Sequence, residues 1–270
     1  MGIIDKIKEV FMLDHKFKKK YGQNFLMDKN ILNKICESIS PNKNDLIIEI
    51  GPGSGNLTKR LKDYEANLVC FEIDKSLDKY LNLLEDDKTK IVYEDFMNIN
   101  LDEFVKNYNY ENIYVIANIP YYITTPIIEK ITFSNIKVKS LLLMVQKEVA
   151  DRLSSNNGNK EYGYITVLLN AFYDINKLFN VNRNSFYPVP NVDSAIIKLD
   201  SKECNILNFE KFNKLIKNAF RFKRKTLKNN LVGYDLNLIN NILGEYGYSL
   251  SNRAEDIPVD VYIKLSNEIK

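Results

Sequence analysis

The chain has 270 residues, 45% of them apolar and 27% charged, with a formal net charge of +3. That length holds one large α/β domain plus a small second one, and the composition excludes global disorder. The charge alone does not demand a polyanionic partner, and three scattered cysteines (Cys36, Cys70, Cys204) with no Cys-x-x-Cys pair argue against a zinc site or a disulfide framework.

The single histidine, His15, all but excludes a Ser-His-Asp triad or a His-based metal centre, so no metal is expected. No apolar run approaches the length of a membrane span. Residues 1–14 mix acids and bases, unlike a signal or transit peptide. The expectation is a cytoplasmic protein with no membrane partner. Lysines 16, 18, 19 and 20 form one basic cluster, and Arg221, Lys223, Arg224 and Lys225 form another. Such clusters can neutralise phosphates, but a basic run taken alone reads as a solvated face.

Taken in chain order, Ile31, Leu32, Ile35 and Ile39 have helical spacing, and Pro41 closes that helix. Residues 45–50 (DLIIEI) are a compact apolar strand, and 57–64 look helical. A second strand covers 68–73 (LVCFEI), followed by a helical stripe of Leu77, Tyr80, Leu81 and Leu84. Residues 90–93, 113–117 (IYVIA) and 141–145 (LLLMV) supply three more strands. Residues 154–160 (SSNNGNK) form a loop by composition. Periodicity leaves 164–172 open between helix and buried strand, and its Ala and Leu content tips it to helix. Residues 195–199 (AIIKL) read as a late strand, after which 209–220, 236–246 and 259–265 are helical with no further strand. Strands apolar on both faces and separated by helices predict a mostly parallel sheet covered on both sides. The expected division is 1–203, an α/β domain with an N-terminal extension, and 204–270, a small helical domain.

The first strand runs into Gly51-Pro52-Gly53-Ser54-Gly55. A glycine turn there lets the backbone approach a ligand closely. The spacing is GxGxG, not that of a dinucleotide binder, and no Gly-Lys-Ser/Thr phosphate loop is present. By itself the motif is weak. The second strand, however, ends in Glu72-Ile73-Asp74, where an acid can accept from both ribose hydroxyls. The third is followed by Glu94-Asp95-Phe96, where a carboxylate can accept from an adenine amine and Phe96 can pack on the ring. Ligands of open α/β sheets bind at that carboxyl edge.

The fourth strand enters Asn118-Ile119-Pro120-Tyr121. The lone pair of the adenine N6 amine is delocalised into its ring and is a poor nucleophile. The Asn118 side-chain oxygen and the Ile119 carbonyl can accept its hydrogens and favour a pyramidal nitrogen that attacks a sulfonium methyl group. Pro120 stiffens the turn, and Tyr121 offers a stacking face for a flipped-out base. Phe186, in the stiff loop Phe186-Tyr187-Pro188-Val189-Pro190, can close on the other face of that base. Judged alone, the loop reads equally well as a proline-rich connector with a buried Phe.

Further segments complete an ordered set: Lys20 to Leu26 (KYGQNFL), Asn56-Leu57-Thr58, residues 144–153 (MVQKEVADRL), Tyr162-Gly163, residues 186–194, residues 220–227 (FRFKRKTL) and Arg253-Ala254-Glu255. Over most of its length the chain resembles the ribosomal-RNA adenine dimethyltransferases of the KsgA type. The resemblance implies a Rossmann-like class I methyltransferase sheet. It implies S-adenosylmethionine as methyl donor, S-adenosylhomocysteine as product, and donor contacts at Asn24, Leu26, Gly51, Glu72, Asp95 and Asn118, with Gly53 in the same loop. It places the target base among Asn118, Tyr121 and Phe186. The implied reaction is dimethylation of two adjacent adenosines in a hairpin near the 3′ end of small-subunit rRNA, by a monomer acting on the maturing 30S particle. Large-subunit relatives that confer macrolide resistance differ in the first loop and lack the Gln146-Lys147-Glu148-Val149-Ala150 segment. A non-catalytic assembly factor and a DNA adenine methyltransferase are the other readings. The first has no need of the Asn118 motif, and the second would want a sequence-reading domain. One departure from the family is Tyr122-Ile123-Thr124-Thr125-Pro126, where many members carry Asn and Ser.

Overall fold

Strand β1 comprises only Phe25–Leu26, whereas β2, Leu46–Ile50, is buried at all five positions, as a strand covered on both faces must be. The computed structural model describes residues 23–118 and 123–269. His15, the lysine cluster at 16–20 and the residues Ile119, Pro120 and Tyr121 lie outside them. Strands β3 (Asn67–Phe71), β4 (Thr89–Val92), β5 (Ile113–Asn118) and β6 (Val138–Gln146) continue the apolar pattern. Strands β7 (Tyr173–Val181), β8 (Phe186–Tyr187) and β9 (Ser194–Ser201) follow.

The main sheet has seven strands in the order β4-β3-β2-β5-β6-β9-β7. The pairs β4/β3, β3/β2, β2/β5 and β5/β6 are parallel. From β2 the chain builds outward through β3 and β4, then returns to β5 on the other side. The crevice between β2 and β5 is therefore the point where strand order reverses, the usual ligand position in such sheets. Register sharpens this. Ile50 pairs with Phe71 and with Ala117, and Phe71 pairs with Val92. One residue further along each chain stand Gly51, Glu72, Asn118 and Tyr93, all at one level of one sheet edge.

The apolar runs at 45–50, 68–73, 90–93, 113–117, 141–145 and 195–199 all fall on strands, shifted by a residue or a few at their ends. The segment 164–172 contains the helix Tyr164–Asn170. Strand β7 has no counterpart among the elements expected from the sequence. Its residues YDINKLFNV are buried only at the two ends and alternate between exposed and half-buried positions in between, and it lies last in the sheet order. A strand with one wet face carries no continuous apolar run to announce it. The β1/β8 ribbon, with Leu26 opposite Phe186 and Phe25 opposite Tyr187, is likewise too short to read locally.

The chain divides into two compact units. One comprises residues 1–147 and 178–199, and the other residues 148–177 and 200–270. Where the sequence suggests a single boundary at 203–204, this grouping interleaves the chain, because Glu148–Lys177 belongs with the helical unit. The core of the first unit is built on the sheet, with Ile47, Leu68, Cys70, Ile116 and Leu142 inside it. The second unit packs the helices Phe209–Ala219, Leu236–Glu245 and Val259–Glu268 around Phe212, Leu243 and Tyr262. Tyr262 is fully buried, and its hydroxyl donates to the Ala254 carbonyl at 2.9 Å, which satisfies the polar tip. Among the described residues, no helix is long and apolar enough to cross a membrane.

Candidate active site

The carboxyl edge of the sheet opens into a cavity of about 590 Å³. Every residue lining it belongs to the first unit. The expected residues Asn24, Leu26, Gly51, Gly53, Glu72, Asp95, Asn118 and Phe186 all line this one space. Tyr121, the remaining one, is outside the described residues.

The glycine turn shapes the floor. Gly51, Gly53 and Gly55 have φ of 74°, 56° and 70°, left-handed backbone that favours glycine. At Gly53 a second reason applies. An added Cβ would stand 2.7 Å from two ring carbons of Phe25, so a methyl group there meets a wall. The Gly53 N–H donates to Glu72 Oε2 at 3.1 Å, and the Asp74 N–H donates to Glu72 Oε1 at 2.8 Å. Glu72 is 5% exposed, and burial pushes its carboxyl above the ordinary carboxylate range. The Ile73 backbone N–H also bonds this carboxylate, and of the roughly four acceptor positions on its two oxygens the remainder is open to a ligand hydroxyl. Asp74 accepts from Gln23 Nε2 at 2.7 Å, which ties the segment before β1 to the tip of β3.

The loop after β4 supplies Asp95 and Phe96. Asp95 Oδ1 accepts from the Met97 N–H at 2.9 Å, and the other carboxylate oxygen is not used in that turn. Phe96 is 4% exposed and meets Phe71 edge-on, ring centroids 5.4 Å apart. Asn118 is the last residue of β5, half-buried and paired in register with Met144 of β6, which also lines the cavity. Phe186 is buried opposite Leu26. Asn56 Nδ2 donates to the Leu26 carbonyl at 3.0 Å and fixes that strand against the glycine turn.

Glu49 also borders the cavity and is 2% exposed. Burial pushes its carboxyl up to about 7, opposed in part by the Cys70 thiol, whose Sγ donates to Glu49 Oε2 at 3.4 Å. Phe25, Asn56, Glu49 and Gln146 also line the cavity, although no sequence feature singled them out as site residues. Phe25 and Asn56 stand inside quoted motifs, but they meet partners tens of residues away and leave no local signal.

The residues present fit a nucleoside sulfonium. The Gly53 cradle brings backbone to the ligand. Glu72 offers acceptors suited to a pair of hydroxyls, Asp95 offers one suited to an amine, and Phe96 offers a flat apolar surface. The volume is in the usual range for a cofactor site. In the second unit, Arg221, Lys223, Arg224 and Lys225 are all exposed. The Arg221 guanidinium stands 5.1 Å from the ring centroid of Phe222, which is 51% exposed.

Residues 14–270 match the family model described as ribosomal RNA adenine dimethylase. A ribosomal RNA small subunit methyltransferase A of Fusobacterium nucleatum is 40% identical over 262 residues, covering 94% of this chain and 97% of the relative. The protein of the same name from Mycoplasma mobile is also 40% identical over 262 residues, with 95% and 100% covered. The crystal structure of a dimethyladenosine transferase from Plasmodium falciparum superposes with a TM-score of 0.77 at 26% identity, covering 89% of this chain and 95% of that one. The 23S rRNA methyltransferase ErmE shares the fold, with a TM-score of 0.73 at 23% identity and 90% and 98% covered.

Proposed function

The chain belongs to the ribosomal RNA adenine dimethylase family, and we propose that Asn118 and the cavity around it carry out the family's chemistry: methyl transfer from S-adenosylmethionine to the N6 amines of two adjacent adenosines in small-subunit rRNA. The observation that carries the reading is the shared level of Gly51, Glu72 and Asn118 at the β2/β5 crevice, where all three line one cavity. The small-subunit target is favoured over the large-subunit one because the relatives across nearly the whole chain bear the small-subunit name.

The donor supplies an electrophilic methyl group on a sulfonium, and the protein supplies position and dipoles. Gly51 and Gly53 hold the donor's backbone-facing side, Glu72 accepts from its ribose, and Asp95 with Phe96 receives its adenine. Asn24 and Leu26 close the cavity from β1. Asn118 accepts a hydrogen of the target amine and turns its lone pair toward the methyl group. The methyl group would leave S-adenosylhomocysteine behind as a neutral thioether, and the nitrogen, cationic after transfer, would give its proton to water, so no strong base has to be paired with it at the start. Phe186 and Tyr121 stack on the target base, an interaction worth about 1–3 kcal/mol per base in other systems. The helical unit, with its exposed Arg221 to Lys225 segment, holds the RNA backbone.

The partner in this reading is rRNA within the maturing 30S particle, met by a monomer in the cytoplasm. Three free cysteines fit a reducing compartment. The deciding experiment incubates the protein with labelled donor and unmethylated small-subunit particles, then maps modified nucleotides by mass spectrometry. Dimethyladenosine at two neighbouring positions is expected. Absence of label from adenosine overturns the assignment.

A further inference from the structure

The helix Thr124–Phe133 follows the Asn118 turn, and its Lys130 reaches back to the loop after β4. Lys130 Nζ donates to the Met97 carbonyl at 2.7 Å and stands 5.7 Å from the centroid of the Phe96 ring. The Met97 N–H is meanwhile held by Asp95 Oδ1 at 2.9 Å. Met97 is thus gripped at both of its backbone polar groups, the first by Asp95 and the second by Lys130. Three consecutive residues are fixed at once, and two of them, Asp95 and Phe96, line the cavity.

A lysine ammonium is strongly hydrated and ordinarily sits in water. Here it turns its charge on a neutral carbonyl and a ring face. Burial pulls its pKa below the usual lysine value, and the negative charge of Asp95 opposes that pull. Surface solubility does not account for such a placement; fixing the loop does.

We propose that Lys130 is a positioning residue for the adenine of the methyl donor, locking the Asp95-Phe96-Met97 turn so that the carboxylate and the ring meet the base in one orientation. The inference rests on the reading of Asp95 and Phe96 as the adenine seat. It carries a chemical consequence. A fixed Asp95 carboxylate accepts from the exocyclic amine of adenine and repels the carbonyl oxygen that hypoxanthine has in its place. Discrimination between these two bases therefore depends on Lys130. The helix that bears Lys130 also begins just beyond the catalytic turn, so the same side chain ties the donor's base to the element that follows Asn118.

Isothermal titration of the full chain with S-adenosylhomocysteine and with its hypoxanthine analogue, S-inosylhomocysteine, tests this without any turnover. Wild-type protein prefers the adenine compound. In Lys130→Met, binding of S-adenosylhomocysteine weakens about tenfold, the size expected when a loosened turn has to be ordered on binding, and the preference between the two ligands shrinks. Lys130→Arg restores most of both. Lys130→Gln serves the same comparison if the methionine variant does not fold, which thermal melting of the ligand-free proteins reports. Wild-type preference retained in full by Lys130→Met, or both ligands weakened by an equal factor, overturns the positioning role while leaving the adenine seat intact. Wild-type protein that binds the two ligands equally overturns the seat itself, and the inference with it.

Discussion

The backbone N–H of Gly53 donates to the carboxylate of Glu72 at 3.1 Å, so the turn after the first strand of the parallel sheet and the acid at the tip of the second form one unit. Neither residue can shift alone. A donor whose ribose rests on Glu72 is thereby referred to the glycine turn, and hydrogen bonding to a charged group makes that tie stronger than a neutral one.

Gly53→Ala tests the cradle. The variant places a methyl group 2.7 Å from the Phe25 ring on backbone with φ of 56°. The backbone strain alone costs about 1–2 kcal/mol, and Phe25 must move as well. The expected outcome is a lower melting temperature together with weaker binding of S-adenosylhomocysteine. Unchanged ligand affinity would mean that Phe25 yields without disturbing the loop.

Asn118→Ala tests the catalytic assignment. Asn118 stands at the end of β5 on the cavity wall and is not needed to build the glycine turn. Methyl transfer should be abolished, whereas binding of the RNA hairpin persists. Transfer at an appreciable fraction of the wild-type rate would remove Asn118 from the mechanism.

Glu49 gives a pH signature. Its carboxyl titrates near 4.5 in an unfolded chain and at about 7 in the folded protein. Between those values the folded state holds a proton that the unfolded state has released, so the folded state is favoured at the acid end and this contribution is lost as pH rises from about 4.5 to 7. Glu49→Gln keeps the shape and removes the titration. Urea unfolding at pH 5 and pH 8 should show the variant gaining on the wild type by an amount on the order of a few kcal/mol at the higher pH. A difference that is constant with pH would show that Glu49 titrates in its ordinary range.

The exposed segment Arg221 to Lys225 tests the RNA path. Replacing Lys223, Arg224 and Lys225 by Gln should weaken hairpin binding and lower the slope of log affinity against log salt by up to about one for each phosphate no longer neutralised. Donor binding should not change, since every residue lining the cavity lies in the other unit. An unaltered salt slope would make the segment a plain solvated face.

Buried parallel strands advertise themselves as apolar runs, because both of their faces are covered, and so β2, β3, β5 and β6 are visible in the chain alone. The Gly51 to Gly55 turn, Glu72, Asp95 and Asn118 each follow closely on such a run, so their placement at one sheet edge follows from strand direction. Phe186 is legible only as half of an ambiguous proline-rich loop. Its burial against the cavity depends on pairing with Leu26, far away in sequence.

Local apolar patterning and backbone preference act over a few residues, and they are enough to set the succession of strands, turns and acids along this chain. How those pieces grip each other is settled only once the chain has folded. Strand β7 escapes a local reading because its polar face hides it. The Gly53–Glu72 tie depends on parallel register between β2 and β3. The hydrogen bond from Lys130 to Met97 joins a helix to a loop 33 residues earlier. Ties of that kind are fixed by the geometry of the assembled sheet and its helices, and a long lysine side chain has no local pattern that reveals which carbonyl it will find.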